Sequence, residues 1–183
     1  MALDHPRGRC RPPRHLVIAT YNRLVTANVA VDEAFAQIEV QLKRRSDLIP
    51  NLVNTVKGYA AHESGTFEKV TQARAAAEHA TTVPEVAAAD GALTQALRGL
   101  LAVAENYPDL KASANFLSLQ EELSSTENKI AFARQYYNDA VRKLNELIVT
   151  IPTKFFVGMA KVSKREFYEV PDAADRNVPT VSF

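Results

Sequence analysis

At 183 residues, 46% hydrophobic and 23% charged, the chain can bury one continuous core and is too apolar for a disordered polymer. Its 22 Lys and Arg against 21 Asp and Glu leave a net charge of +1, which supplies no cationic excess for nucleic acid. Cys10 is the single cysteine, so an internal disulfide and a cysteine-based metal site are both excluded, and 6 glycines with no tryptophan disfavour a turn-rich β architecture.

Residues 1–19 are rich in proline and arginine and are expected to be disordered. The apolar run Leu16-Val17-Ile18-Ala19 is shorter than the roughly 7–15 residues of a signal-peptide core and far shorter than the roughly 20 of a membrane span. No other stretch of the chain qualifies as a span. From Thr20 a helical period begins. Leu24, Asn28, Val31, Phe35, Ile38, Leu42, Arg45, Ile49, Leu52, Val56 and Tyr59 alternate steps of four and three, the seam of a left-handed bundle.

Pro50 lies inside this seam, where a proline costs about 3 kcal/mol in a helix interior. The pattern keeps its phase across it, which predicts one continuous, kinked helix from Thr20 to Glu63 rather than two. Ser64-Gly65 should end that helix, and Thr66 should cap a second one reaching Ala80, with Phe67, Val70, Ala73 and Ala77 on one stripe. Thr82-Val83-Pro84-Glu85 reads as a capping box opening a third helix, which Tyr107-Pro108 stops. The last helix, capped by Ser113 and ended by Pro152, carries its seam from Phe116 to Ile151 without a slip.

At about 1.5 Å per residue the first and last helices each span roughly 60 Å, and the second and third laid end to end come to the same length. The fold class predicted is therefore all-α: an elongated antiparallel bundle of three long legs over 20–152, the middle leg broken near Thr82-Pro84. Residues 153–183 lack a helical period and are expected to lie extended on the bundle or trail from it, tucking in aromatic side chains.

The run Tyr21-Asn22-x-Leu24-Val25, then Arg44-Arg45-x-Asp47-Leu48-Ile49-Pro50-Asn51-Leu52-Val53, Gly58-Tyr59 and His62-Glu63 resembles the LemA family. Arg74, Tyr107-Pro108, Glu127, Arg134, Tyr137-Asn138 and Asn145 extend the likeness in the same order. The resemblance implies a bacterial helical-bundle domain carried on one N-terminal membrane helix, without catalytic residues or a settled biochemical role. Where that helix should precede Tyr21, this chain has its proline- and arginine-rich segment. A membrane-associated protein is what the family implies, and a cytoplasmic one is what the missing span allows.

The positions singled out as structural or interaction residues are Arg44, Arg45, Asp47, Pro50, Asn51, His62, Glu63, Arg134, Tyr137 and Asn138. Lys43, Arg44 and Arg45 spread over roughly 200° of a helix and cannot form one patch. Arg45 falls on the seam and needs a buried counter-ion; chain counting nominates Glu85 or Glu78. His62 and Glu63 diverge on their helix and have no HExxH spacing, so no metal is expected. No nucleophile elbow or phosphate-cradling glycine loop is present, and neither catalysis, a cofactor nor a small-molecule substrate is expected. The reading is a non-catalytic scaffold with an unidentified protein partner and an association with membranes, and no nucleic-acid role. The alternative is a module that binds anionic lipid surfaces through its N-terminal arginines.

Overall fold

A computed structural model of the chain describes residues 14–60 and 62–170, and among them there is no strand. Helix α1 (Arg14–Lys57) runs unbroken through Pro50, and Arg45, Ile49, Leu52 and Val56 are buried on either side of it. Residues 14–19, expected to be disordered, form its first turns, since no proline lies between Arg14 and Thr20 to stop the helix from propagating beyond its seam. Residues 1–13, Cys10 among them, lie outside the described residues. The helix closes at Lys57 rather than Glu63. Gly58 weakens the next turn, and the amides of Tyr59 and Ala60 share the Val56 carbonyl at 3.0 and 2.9 Å.

Helix α2 (Ser64–His79) starts two residues before the expected Thr66 cap, with Glu63 at its N-cap and no side-chain capping bond. It runs back along the upper half of α1. Lys57 Nζ stands 5.3 Å from the Phe67 ring centre at one end, and Ser46 Oγ donates to Glu78 Oε1 at 3.1 Å near the other. The capping box forms as read: Glu85 N donates to Thr82 Oγ1 at 3.4 Å, and Thr82 N donates to Glu85 Oε2 at 3.1 Å. Helix α3 (Val83–Ala104) follows. A single turn, α4 (Pro108–Lys111), then leads into α5 (Ala114–Val149), whose Ser113 N-cap makes no side-chain bond.

The fold is all-α with long antiparallel helices, but α2 and α3 do not form one broken leg. They pack side by side as a hairpin. Leu93, Leu97, Leu100 and Ala104 join Leu52, Val56, Phe67 and Val70 in one apolar cluster, which only a reversal at residues 80–82 permits. Laid end to end, α3 would carry those leucines toward the other half of the rod. There the inner face of α1 and α5 is already filled by the chain's own C-terminal residues.

The body therefore has two unlike halves. In one, α2 and α3 pack on the second half of α1 and the first half of α5. In the other, α1 and α5 continue alone as an antiparallel pair, α1 as a rod about 66 Å long. A 3₁₀ turn (Thr153–Phe156) and helix α6 (Val157–Ala160) fold across the end of that pair. Lys161, at a left-handed φ of 51°, then turns the chain into an extended strap, residues 162–170, running back along α1 and α5. The tail is thus helical before it is extended. It tucks in Val162 and Tyr168 but leaves Phe155 and Met159 in water.

Candidate functional site

The two halves meet at a buried polar junction built around Asp90. This residue lies on the α3 stripe four residues after Val86 and three before Leu93, so its carboxylate points where an apolar side chain would be expected. Arg45 on α1 is 1% exposed and donates through Nη2 to Asp90 Oδ1. Its Nη1 donates to Thr94 Oγ1 at 3.1 Å and lies 3.9 Å from Glu127 Oε2 on α5. Arg134, also on α5, approaches Asp90 Oδ2 at 3.7 Å and stacks its guanidinium 5.9 Å from the Tyr168 ring centre. Tyr168 reaches in from the strap and donates its hydroxyl to Asp90 Oδ2 at 2.9 Å. One carboxylate thereby ties together α1, α3, α5 and the strap.

The buried arginine has the counter-ion its seam position demanded, but that partner is Asp90 and neither Glu85 nor Glu78. Glu85 is occupied by the capping box, where the Thr81 and Thr82 amides hold its carboxyl below the usual range. Glu78 pairs with Arg74 at 3.0 Å and with Ser46. The hairpin reversal brings Asp90, the eighth residue of α3, level with Arg45, which end-to-end counting could not do. Arg134 reaches this level from α5.

The strap is held by a second device on α5. Asn138 accepts from Tyr168 N at 2.8 Å and donates to Tyr168 O at 3.2 Å. Asn145 treats Arg165 the same way, with both bonds at 3.0 Å. Seven helical residues advance about 10.5 Å and three extended ones about 10 Å, so the two asparagines match every third residue of an extended chain. Between them the Tyr137 hydroxyl donates to Glu166 O at 2.9 Å. The Arg165 guanidinium closes the clamp against α1, at 2.8 Å from Asp32 and 3.2 Å from Asn28. Gly91 lets the strap pass, for a Cβ there would lie 2.9 Å from Val170 Cγ1.

Burial raises the pKa of both strap-associated phenols, Tyr168 far above its ordinary range with the Asp90 charge adding to the effect. Each phenol is held neutral in the folded chain, so the stability it carries is complete below about pH 10 and is lost as pH rises above that value. Absorbance titration should accordingly show two of the six tyrosines ionising only as the helices unfold. Two phenols that ionise while the helices are intact, and that disappear when Y137F and Y168F are combined, would contradict this.

The remaining singled-out residues do not converge on the junction. Arg44 is exposed, Asp47 pairs with Lys43 at 2.7 Å on the surface, and the Asn51 carbonyl accepts from Thr55 Oγ1 at 2.9 Å. His62 is exposed in the turn before α2, and Glu63 serves that helix through its carbonyl, 3.1 Å from Thr66 N. Asp90, Thr94 and Tyr168 were not picked out from sequence. The signal for Asp90 was available: it is the one acid on the α3 stripe, as Arg45 is the one base on the α1 seam.

Opposite the strap, α1 and α5 expose a continuous groove of about 610 Å³ lined by Ala36, Gln37, Val40, Lys129, Phe132 and Tyr136. Phe132 is 72% exposed and Val40 62%, although both stand mid-helix beside the core. Among the described residues no helix is long and apolar enough to cross a membrane, and no group of three or more His, Cys, Asp or Glu side chains could hold a metal ion.

Magnetosome protein MamQ 2 of Paramagnetospirillum magneticum is 23% identical over 90% of this chain and 70% of its own. Magnetosome protein MamQ of Magnetospirillum gryphiswaldense is 22% identical over the same shares. Protein LemA of Metamycoplasma hominis is 28% identical over 72% of this chain and 61% of its own. The model of the LemA family matches residues 34–183, from the middle of α1 through both clamps and the strap, and the chain belongs to that family.

Proposed function

We propose that the chain is a non-catalytic scaffold of the LemA type that offers the outer face of α1 and α5 to a helical segment of another protein. The observation that supports this reading is the exposed apolar row of Val40, Phe132 and Tyr136 along a rigid two-helix rail. The opposite face of the same rail is fully used by the strap, so the two helices present one satisfied side and one unsatisfied side. Groove and row together have the form that takes an amphipathic helix by its apolar anchors. The junction itself serves the fold: the Asp90 oxygens are occupied by Arg45, Arg134 and Tyr168 and face inward.

A photo-crosslinking residue at position 132 in the full chain, expressed in cells, should give a discrete adduct with one other polypeptide. The same residue at exposed Glu121, in the four-helix half, should not. Val40→Asp should lower the yield at least about tenfold, since a buried valine contributes about 1.5 kcal/mol or more. Equal adducts at both positions, or a yield indifferent to Val40→Asp, would contradict the proposal.

A further inference from the structure

The α1–α5 groove continues past Tyr136. A second stretch of about 550 Å³, bordered by the same tyrosine, carries it toward the start of α1, where Ala19, Arg23, Thr26, Lys143 and Leu147 line it. From Ala19 to Gln41 the combined groove follows α1 for about 33 Å, the length of a helix of roughly 22 residues. Small side chains line both stretches, Ala30 and Ala36 on α1 and Ala133 and Ala140 on α5, so a third helix can approach the pair closely.

The charges of the groove are sorted by position. Lys129 borders it at one end, Arg23 and Lys143 at the other, and all three are exposed. Among the described residues none of the three forms an ion pair. Asp139, the one acid in either lining, is paired with Arg142 at 2.8 Å. Glu33 stands midway on the same α1 stripe, three residues after Ala30 and four before Gln37. The groove is therefore positive at both ends, and its middle is apolar with one acid beside it. Lys129 and Lys143 are 14 residues apart, about 21 Å and close to four full turns, so both lie on one face of α5.

We propose that the partner of this groove is an amphipathic helix of about 22 residues that carries acids at both ends of its apolar face and none in the middle. The inference rests on the docking reading above and adds the chemistry of the partner to it. Acids roughly four turns apart meet the unpaired lysines and arginine, while aliphatic anchors between them meet Val40, Phe132 and Tyr136. A second copy of this chain does not fit that description. Packed face to face in either direction, it would bring its own lysines to the same ends.

Two fluorescein-labelled synthetic helices of 22 residues test this on the full chain. They share a central face of leucine and alanine and carry either glutamate or lysine at both ends of it. The glutamate peptide should bind at least about tenfold more tightly at low salt, and added salt should narrow the gap. Arg23→Glu, Lys129→Glu and Lys143→Glu combined should invert the preference, and since all three side chains are exposed the fold is retained. Moving the glutamates to the middle of the peptide, opposite Glu33, should weaken binding. Val40→Asp should weaken both peptides.

Equal affinity for the two peptides, with both weakened by Val40→Asp, would overturn the acidic partner and leave the docking groove standing. Binding of the glutamate peptide that ignores Val40→Asp would place it elsewhere on the rod and overturn the proposal. So would no binding by either peptide, in which case crosslinking at position 132 decides the docking reading separately. A chain that dimerises without peptide and is returned to monomer by Val40→Asp would make the occupant a second copy.

Discussion

Asp90→Ala should destabilise the fold by about 3–5 kcal/mol, because it strands a buried guanidinium. Arg45 is 1% exposed, and without Asp90 its nearest acid is Glu127, 3.9 Å away and itself half exposed. For a chain of this length the loss corresponds to a melting-temperature drop of about 6–20 °C. The reverse substitution should cost less. In Arg45→Met the carboxylate keeps the Tyr168 hydroxyl at 2.9 Å and Arg134 at 3.7 Å, and methionine fills most of the arginine's apolar volume. Urea unfolding of both variants and of the pair Arg45→Met, Asp90→Leu tests the point. The double variant should recover most of the Asp90→Ala loss, since replacing both charges removes the orphan rather than adding attraction. An Arg45→Met loss equal to or larger than that of Asp90→Ala would show that the cost is not the uncompensated cation.

The same junction marks how far the sequence could be read. The seams of α1 and α5 were legible up to their last positions, because steps of three and four residues have no other regular explanation, and the phase held across Pro50; Tyr59 and Ile151, read as seam residues, fall beyond the helix ends and are exposed. Arg45 was legible as a buried charge for the same reason. Its partner was not, because the register of α3 depends on whether the chain reverses at residues 80–82. A three-residue connection with Thr82 in an extended conformation is compatible with either course. Length matching favoured the wrong one. Burial of Leu97, Leu100 and Ala104 decides it, and that is a property of the assembled core rather than of any segment. An extended tail was legible, but the register of the strap was hidden for a different reason. Asn138 and Asn145 bind backbone atoms, so they require nothing of the strap's side chains and leave no pattern in it. The one trace is their own seven-residue spacing.

Tyr168→Ala should detach the strap without dissolving the bundle. Removing a buried aromatic side chain costs about 3–5 kcal/mol where the loss is global. Here the penalty is bounded by the free energy of releasing residues 162–170, since once they leave, the cavity leaves with them. Hydrogen exchange separates the two cases, because the Arg165 and Tyr168 amides donate to Asn145 and Asn138 and to nothing else in the strap. Protection at position 165 should fall by at least about a hundredfold, the equivalent of roughly 3 kcal/mol. Amides in the four-helix half around Leu52 and Leu97 should fall much less. Tyr168→Phe should cost only about 1 kcal/mol, for Asp90 retains both arginines while the ring still packs beneath Arg134. Equal loss of protection in both halves would mean that the strap and the α2–α3 hairpin unfold as one unit through Asp90. The junction would then be the cooperative link of the whole rod and not a latch on one end of it.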